Sequence, residues 1–243
     1  MTDTRVAVVV EDDADIGLLL REVLEMAGFT VHQASTGKEG VRLVRGVTPD
    51  LVTLDLGLPD VDGITVCRAI REITDAYVIM ITASTDEIDR LLGLEIGADD
   101  FVNKPFSPRE IQARVAALFR RPRRIPGQPS AAGTVPSPVD EHRVVNHGDL
   151  EVDLDGRIVT LAGEELPLTR IEFDLLATML GGPRRVWTRE TLLRTVWGAQ
   201  WIGDDHLVEV HVGNLRRKLG DDARTARWIR TVRGVGYRLA PAA

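Results

Sequence analysis

The first half of the chain alternates short apolar runs with segments of helical periodicity, and this alternation limits the folds available to it. The apolar runs are RVAVVV, TVHQAS, LVTLDL, YVIMIT and DFVN. Between them, apolar residues recur at helical spacing, as in Ile16, Leu19, Leu20, Val23 and Leu24. Strands joined through helices run parallel, and parallel strands are buried on both faces. The pattern therefore predicts an α/β domain with five helices around a five-stranded, doubly wound parallel sheet.

The second half follows a different order of elements. Two short strand candidates, LEVDL and RIVTL, are joined by the turn pair Asp155-Gly156. Helical patterns near 169–180, 189–196 and 206–219 follow, and the chain closes with WIRTV and YRL around a glycine-containing turn. Three helices followed by a terminal hairpin are the parts of a winged helix. We therefore expect a separate α+β domain of that type.

A proline-rich segment separates the two halves. Five of the twelve prolines lie between Arg120 and Asn146, where apolar periodicity is absent from the sequence. We therefore predict a first domain over 1–121, a linker over 122–146 and a second domain over 147–243.

Charge and composition narrow the classes of function. Residues 1–119 carry 11 Lys and Arg against 21 Asp and Glu, whereas residues 206–243 carry 8 against 3. This asymmetry favours a sensor joined to a nucleic-acid binder. The single cysteine, Cys67, excludes an internal disulfide and a cysteine-built zinc site. No apolar run approaches the roughly 18 to 20 residues that span a bilayer, so we expect no membrane association and a cytoplasmic location.

Charged and hydroxyl side chains collect where the predicted parallel strands end. These residues are Glu11, Asp12, Asp13, Asp55, Thr82 and Lys104. Open parallel sheets bind their ligands beyond the carboxyl ends of the strands. Several carboxylates in one cleft repel one another unless a cation lies among them, and an oxygen-only set suits Mg²⁺. Taken alone, any one of these carboxylates is better explained as a helix cap or a solvated loop charge, and it is their combination at four strand ends that indicates a site.

This combination of side chains suits phosphoryl chemistry. A carboxylate beside a metal ion can attack phosphorus and hold the phosphoryl group as an acyl phosphate. Catalysis would then come from positioning and from charge neutralisation by the metal and the Lys104 ammonium. Thr82 would donate a hydrogen bond to a phosphoryl oxygen.

The motifs that carry these residues resemble the receiver domain of bacterial two-component response regulators. They are EDD after the first strand, LDLGLPDVDG around Asp55, IT at Thr82 and KPF at Lys104. The resemblance implies a flavodoxin-like fold and phosphoryl transfer to Asp55 from a sensor histidine kinase. It implies no enzyme activity beyond the receiver's own phosphorylation and dephosphorylation.

The same resemblance implies a set of roles around the acceptor. Mg²⁺ would be ligated by Asp12, Asp55 and the backbone carbonyl of Gly57, with Glu11 acting through water. Phe101 falls where the family has an aromatic switch that turns inward when the threonine moves toward the phosphoryl group. A plain core phenylalanine is the alternative for Phe101.

A charged face of the first domain resembles the branch of this family known as the OmpR/PhoB-like regulators. Arg90, Asp100, Glu110 and Arg114 match residues that pair across a twofold interface in that branch, which implies a homodimer in the phosphorylated state. An ordinary solvated face is the alternative, because exposed charge pairs contribute little on their own.

The segment 206–219 has the pattern of a helix that reads double-stranded DNA. Four of its apolar residues fall within about 60° of one another at 100° per residue, so one side packs inward; they are Val208, Val212, Leu215 and Leu219. Arg and Asn on the other side can read base edges in the major groove. The strings HLVEVHVGNLRRKLG, TVRGVGYRL and LPLTRIEFDLL resemble the winged-helix domain of the OmpR/PhoB-like family.

Carried over position by position, this resemblance implies a set of DNA contacts. The residues that would face bases or phosphates are Val210, His211, Asn214, Arg216 and Arg217, and Arg233 would reach the adjacent minor groove. The loop from Trp197 to Asp205 matches a segment that touches RNA polymerase in some relatives, although its tryptophans could equally be core residues.

These observations lead to one hypothesis and two alternatives. The hypothesis is a phosphorylation-dependent transcriptional regulator that accepts a phosphoryl group on Asp55, dimerises through the receiver and binds promoter DNA. The first alternative keeps this architecture with control that is independent of phosphate. The second is a phosphatase with Asp55 as nucleophile, against which the acceptor lacks a second aspartate two residues on.

Overall fold

The computed structural model describes residues 5–83, 93–94, 96–119, 143–198, 206–222 and 226–241. They fall into two compact units, one within 1–119 and 200–214 and the other within 120–199 and 215–243. Most of the predicted helix 86–96, of the predicted linker and of the loop from Trp197 to Asp205 lies outside the described residues. Of the helices in these ranges, none is long and apolar enough to cross a membrane.

The first unit is built on a five-stranded parallel sheet. Its strands are β1 (Arg5–Val10), β2 (Phe29–Ala34), β3 (Leu51–Asp55), β4 (Tyr77–Thr82) and β5 (Asp100–Asn103). They lie in the order β2-β1-β3-β4-β5, so the chain winds to both sides of β1. β3 and β4 are buried along their whole length, which explains their continuous apolar sequences. The predicted doubly wound sheet is confirmed.

Helices alternate with these strands as the sequence predicts. Those described in residues 5–119 are α1 (Ala14–Met26), α2 (Gly37–Val47), α3 (Gly63–Arg71) and α4 (Pro108–Phe119). The first three begin after an Asp or Thr whose side chain accepts a backbone N–H of the first turn. α3 can start against the end of β3 because its first residue is Gly63, where a Cβ would lie 2.6 Å from the Asp55 carbonyl oxygen.

The second unit contains the antiparallel elements. One sheet runs in chain order through β6 (Val144–His147), β7 (Leu150–Asp153), β8 (Ile158–Leu161) and β9 (Glu164–Glu165). The elements that follow are α5 (Arg170–Leu180), β10 (Trp187–Thr188), α6 (Arg189–Val196), α7 (His206–Lys218), β11 (Ile229–Val232) and β12 (Gly236–Leu239). α7 spans the division between the units, and the last sheet has the order β10-β12-β11. The predicted winged-helix fold is confirmed.

Three strands of this fold differ from the sequence-based expectation. β6 begins at Val144, inside the predicted linker, because its residues pair with β7 from Val144 opposite Asp153 to His147 opposite Leu150. β9 and β10 are two residues long, too short for alternation to show in the sequence. The pairing of β10 with β12 needs Gly236, since a Cβ there would overlap the backbone of Trp187.

Candidate functional site

Four of the predicted site residues lie at the carboxyl edge of the parallel sheet. Glu11 follows β1, Asp55 and Thr82 end β3 and β4, and Lys104 follows β5. These four strands are consecutive neighbours in the sheet. Glu11, Asp55 and Thr82 are buried, with 5%, 5% and 2% of their surface exposed. The fold therefore brings chemistry from distant parts of the chain to one edge, as parallel pairing requires.

Lys104 joins two of the carboxylates at this edge. Its Nζ lies 2.7 Å from Glu11 Oε1 and 2.8 Å from Asp55 Oδ2. Its backbone N–H donates to the Thr82 carbonyl oxygen at 2.7 Å. Burial lowers the pKa of Lys104, but the hydrogen bonds to Asp55 and Glu11 outweigh it, so the pKa is raised overall. Lys104 is therefore a charged ammonium that two carboxylates share.

The negative charge of this pocket exceeds the positive charge that faces it. Burial raises the pKa of Glu11 to about 7, and the Asp55 charge adds to this rise, while Lys104 opposes it. Within the described ranges, Glu11 Oε2 is buried and has no hydrogen-bond partner. A further cation beside these carboxylates would reduce the repulsion between them and would give the unpartnered Glu11 oxygen an oppositely charged partner.

Three carboxylates are placed to hold such a cation. Glu11, Asp12 and Asp55 each offer one oxygen, and these oxygens lie within 4.8 Å of one another. The Gly57 N–H donates to Asp55 Oδ1 at 3.0 Å and orients that carboxylate. A set made only of oxygen donors fits Mg²⁺. Asp13, the last residue of the EDD motif, instead caps α1 by accepting two backbone N–H groups of its first turn.

Phe101 and Pro105 flank Lys104 in the chain. Phe101 is half-buried in β5, where it lies opposite Met80 of β4. The Lys104-Pro105 peptide bond is cis. The role of Phe101 as an aromatic switch stays a prediction.

The residues predicted to form a dimer face are paired within one chain. Arg114 Nη1 lies 3.1 Å from both carboxylate oxygens of Asp100, and Arg114 Nη2 lies 3.0 Å from Glu110 Oε1. Asp100 is completely buried, and burial raises its pKa to about 7 although Arg114 opposes the shift. Arg90 lies outside the described residues. The predicted pairing across a twofold axis stays a prediction.

The residues predicted to contact DNA differ in exposure. Arg217 and Arg233 are exposed, whereas His211 and Asn214 are buried, at 1% and 3%. Within the first unit, the Asn214 amide donates to the Leu94 carbonyl oxygen at 2.8 Å. The burial of His211 follows from helix geometry, since 100° per residue places it beside the apolar stripe of α7. The structure therefore does not present these two side chains to a duplex, unlike the expectation from the sequence.

Val210 and Arg216 complete the predicted contact set. Val210 is half-buried. Arg216 Nη2 donates to the Ile229 carbonyl oxygen and to Thr231 Oγ1, both at 2.8 Å. The guanidinium expected to face DNA is therefore bound to β11 of its own domain.

Sequence reasoning missed two buried ion networks. Arg71 donates to the Gly97 carbonyl oxygen at 2.7 Å and to the completely buried carboxylate of Asp99. In the second unit, Lys218 Nζ donates to Glu172 Oε2 at 2.7 Å, and Glu172 is only 2% exposed. Only the second network left a readable signal, because TRIE before an apolar run is a capping-box pattern and the structure forms that box.

Comparison with known families covers both parts of the chain. Residues 7–116 match the response regulator receiver domain, and residues 163–239 match the C-terminal domain of transcriptional regulatory proteins. The DNA-binding response regulator MtrA of Mycolicibacterium smegmatis is 42% identical over 96% of this chain and 96% of its own length. The chain belongs to the OmpR/PhoB family of two-component response regulators.

Further relatives of this response regulator match it over nearly its full length. CseB of Streptomyces coelicolor, a transcriptional regulatory protein, is 41% identical over 98% of the chain and 99% of its own. A solved structure of a RitR mutant gives a TM-score of 0.73 at 26% identity, and DrrB of Thermotoga maritima gives 0.50 at 31%. Both structures cover 98% of this chain and 99% of their own. The regulator therefore consists of a receiver domain and a DNA-binding domain.

Proposed function

We propose that this response regulator is a phosphorylation-dependent transcription factor that accepts a phosphoryl group on Asp55 from a sensor histidine kinase. The observation that carries the proposal is the contact of Lys104 Nζ with Asp55 Oδ2 at 2.8 Å, where oxygens of Asp55, Glu11 and Asp12 lie within 4.8 Å of one another. A buried carboxylate held against an ammonium, with too little positive charge around it, supports a pocket for a cation and a phosphoryl group.

In the proposed reaction, an Asp55 carboxylate oxygen bonds to the phosphorus of a phosphohistidine as the P–N bond breaks. The imidazole nitrogen keeps the electron pair and takes up a proton. Asp12, Asp55 and the Gly57 carbonyl would hold Mg²⁺, with Glu11 acting through water; when bound, the ion neutralises charge on the phosphoryl oxygens. Lys104 and Thr82 would bind the remaining phosphoryl oxygens, and Phe101 would follow Thr82 inward.

The output proposed for this reaction is dimerisation and binding to promoter DNA in the cytoplasm. Arg90, Glu110 and Arg114 would form the twofold face of the receiver, with the buried Asp100 holding Arg114 in place. Arg217 and Arg233 are the exposed cations of the DNA-binding domain from the predicted contact set. Pairing two receivers would raise DNA affinity through effective concentration. We further propose RNA polymerase as a partner through the loop that precedes α7.

The proposed domain limits follow the sequence with one change. The receiver would span 1–121. Because β6 begins at Val144, the DNA-binding domain would begin there, before the predicted 147, and the linker would be correspondingly shorter.

Intact-protein mass spectrometry tests the proposal. The full chain is incubated with acetyl phosphate and Mg²⁺, beside an Asp55→Asn variant and a sample without metal. A phosphoryl adduct confined to the wild type with Mg²⁺, together with a shift from monomer to dimer in sedimentation, is the expected result. A folded wild type that gains no adduct overturns the proposal in favour of control that is independent of phosphate. Continuous phosphate release from a phosphomonoester would favour a phosphatase.

A further inference from the structure

We infer that Arg216 is a positioning residue, which holds the wing hairpin (β11 and β12, residues 229–239) against α7 and does not itself read DNA. This inference rests on the proposed DNA-binding function. It replaces the expectation that every arginine at the end of α7 contacts the duplex, and it assigns Arg216 and Arg217 to different tasks.

The contacts of Arg216 are with both strands of the wing hairpin. Its Nη2 donates to the Ile229 carbonyl oxygen and to Thr231 Oγ1 of β11, each at 2.8 Å. Its guanidinium carbon lies 5.6 Å from the ring centroid of Tyr237 in β12, within range of a cation–π contact. The end of α7 and the hairpin are thus joined through one planar side chain.

A second cation fixes the opposite side of the same helix. Lys218 Nζ donates to Glu172 Oε2 at 2.7 Å, and Glu172 Oε2 also accepts the Thr169 N–H at 2.8 Å. Residues two apart on a helix point about 200° away from each other. Arg216 and Lys218 therefore hold α7 between the wing hairpin and α5, while Arg217 between them is exposed.

This fixed position of α7 against the wing hairpin matters for DNA binding, because α7 and the wing must enter adjacent grooves of the duplex at the same time. A wing fixed before binding loses less freedom on the duplex, which increases affinity without adding a contact. Arg233 in the wing turn is exposed, so the benefit of Arg216 should be realised largely through Arg233.

A salt series with matched variants tests the assignment. The full chain carries Arg216→Met or, as a control with the same charge change, Arg217→Met. The probe is a duplex that the wild type selects from a random-sequence pool. A cation that contacts phosphate contributes about 1 to the slope of log K against log salt. Arg217→Met should lower the slope by about 1, whereas Arg216→Met should weaken binding about tenfold with the slope unchanged.

A double-mutant cycle with Arg233→Met separates positioning from a general loss of structure. The effects of Arg216→Met and Arg233→Met should be non-additive, whereas those of Arg217→Met and Arg233→Met should add. Thr231→Val, which removes one acceptor at an exposed residue, should show a weaker form of the Arg216 behaviour. A slope lowered by about 1 in Arg216→Met, or additivity with Arg233→Met, overturns the inference.

Hydrogen exchange in the free chain tests the same contact without DNA. Backbone amides of β11 and β12 should exchange faster in Arg216→Met than in the wild type, and Arg217→Met should leave them unchanged. Equal exchange in all three chains overturns the inference. A wild type that selects no duplex would instead contradict the proposed function, and the exchange result would still decide whether Arg216 holds the wing.

Discussion

The receiver sheet contains two groups of buried carboxylates, and the groups are neutralised differently. At the carboxyl edge, Glu11 and Asp55 share the single ammonium of Lys104. At the start of β5, each buried carboxylate has its own guanidinium. These pairs are Asp99 with Arg71 and Asp100 with Arg114. One group therefore has a cation for each carboxylate, and the other contains a charge deficit.

The candidate site is thus distinguished by a shortage of cations for its carboxylates, rather than by the burial of acids. Burial raises the pKa of both Glu11 and Asp100 to about 7, so a raised pKa does not separate the two groups. The number of cations does, because Asp99 and Asp100 each have a guanidinium, whereas Glu11 and Asp55 share one ammonium. A buried charge without full pairing is costly, and a bound cation would remove that cost.

The largest expected effect comes from breaking a complete pair. Arg71→Met leaves the Asp99 carboxylate buried without its guanidinium, and we expect the free energy of unfolding to fall by about 3–5 kcal/mol. Circular dichroism in urea measures receiver unfolding. Trp187, Trp197 and Trp228 lie in the second unit, so tryptophan fluorescence should mainly report an unchanged DNA-binding domain. Adding Asp99→Asn should recover part of the loss; no recovery would contradict the pairing explanation.

Mg²⁺ binding should supply the positive charge that Glu11 and Asp55 lack. At a Mg²⁺ concentration of 100 times Kd, ligand linkage stabilises the folded receiver by about 2.7 kcal/mol. Asp12→Asn should remove most of this gain. Asp13→Asn is the matched control, because asparagine still caps α1, and it should keep the gain. An equal Mg²⁺ effect in both variants would argue against Asp12 as a ligand.

Without metal, the deficient group should make receiver stability depend on pH. The pKa of Glu11 rises from 4.5 to about 7 on folding, so between these values the folded chain retains a proton that the unfolded chain releases. This contribution to stability is complete below 4.5 and is lost as the pH rises through about 7. In urea denaturation, the free energy of unfolding should depend less steeply on pH in Glu11→Gln than in the wild type.

The control for this pH experiment is Glu22→Gln, which changes an exposed glutamate on α1. It should retain the dependence of the wild type. The raised pKa of Asp100 makes stability depend on pH in the same direction. The quantity to measure is therefore the difference in pH dependence between Glu11→Gln and Glu22→Gln. Identical profiles in Glu11→Gln and the wild type would place the titrating group outside the pocket.

The smallest effect is expected for an ion pair at the surface. Arg21 and Glu25 on α1 are 48% and 44% exposed and pair at 2.7 Å. Arg21→Gln should cost about 0.3–0.5 kcal/mol, because water already solvates both charges. Thermal unfolding followed by circular dichroism measures it. A loss of stability as large as that of Arg71→Met would show that burial does not explain the difference between the Arg71–Asp99 and Arg21–Glu25 pairs.

Sequence reasoning worked best where local periodicity sets the structure. The strands of the receiver alternate with segments of helical periodicity, so their number and parallel arrangement could be predicted. The sequence did not predict β9 and β10, because two residues are too few to show an alternating pattern. It also did not predict β6, because that strand depends on its pairing with β7 several positions along the chain. The winged helix was predictable because its three helices and terminal hairpin each carry a local signal.

The candidate site shows the same division between local and distant information. The strand ends alone predicted the gathering of Glu11, Asp55, Thr82 and Lys104, because parallel strands finish at one edge. They did not predict that Asp13 would turn to cap α1. Capping and metal ligation use the same carboxylate chemistry, and only backbone position separates them.

Residue type and spacing along the chain suffice to predict the order of elements, the position of the acidic edge and the family of the regulator. The pairing of Arg114 with Asp100 in its own chain, the burial of Asn214 and the contact of Arg216 with the wing hairpin are seen only in the folded chain. Each outcome depends on a hydrogen bond of about 3 Å or a buried surface between residues distant in sequence. No spacing rule along the chain encodes such a contact.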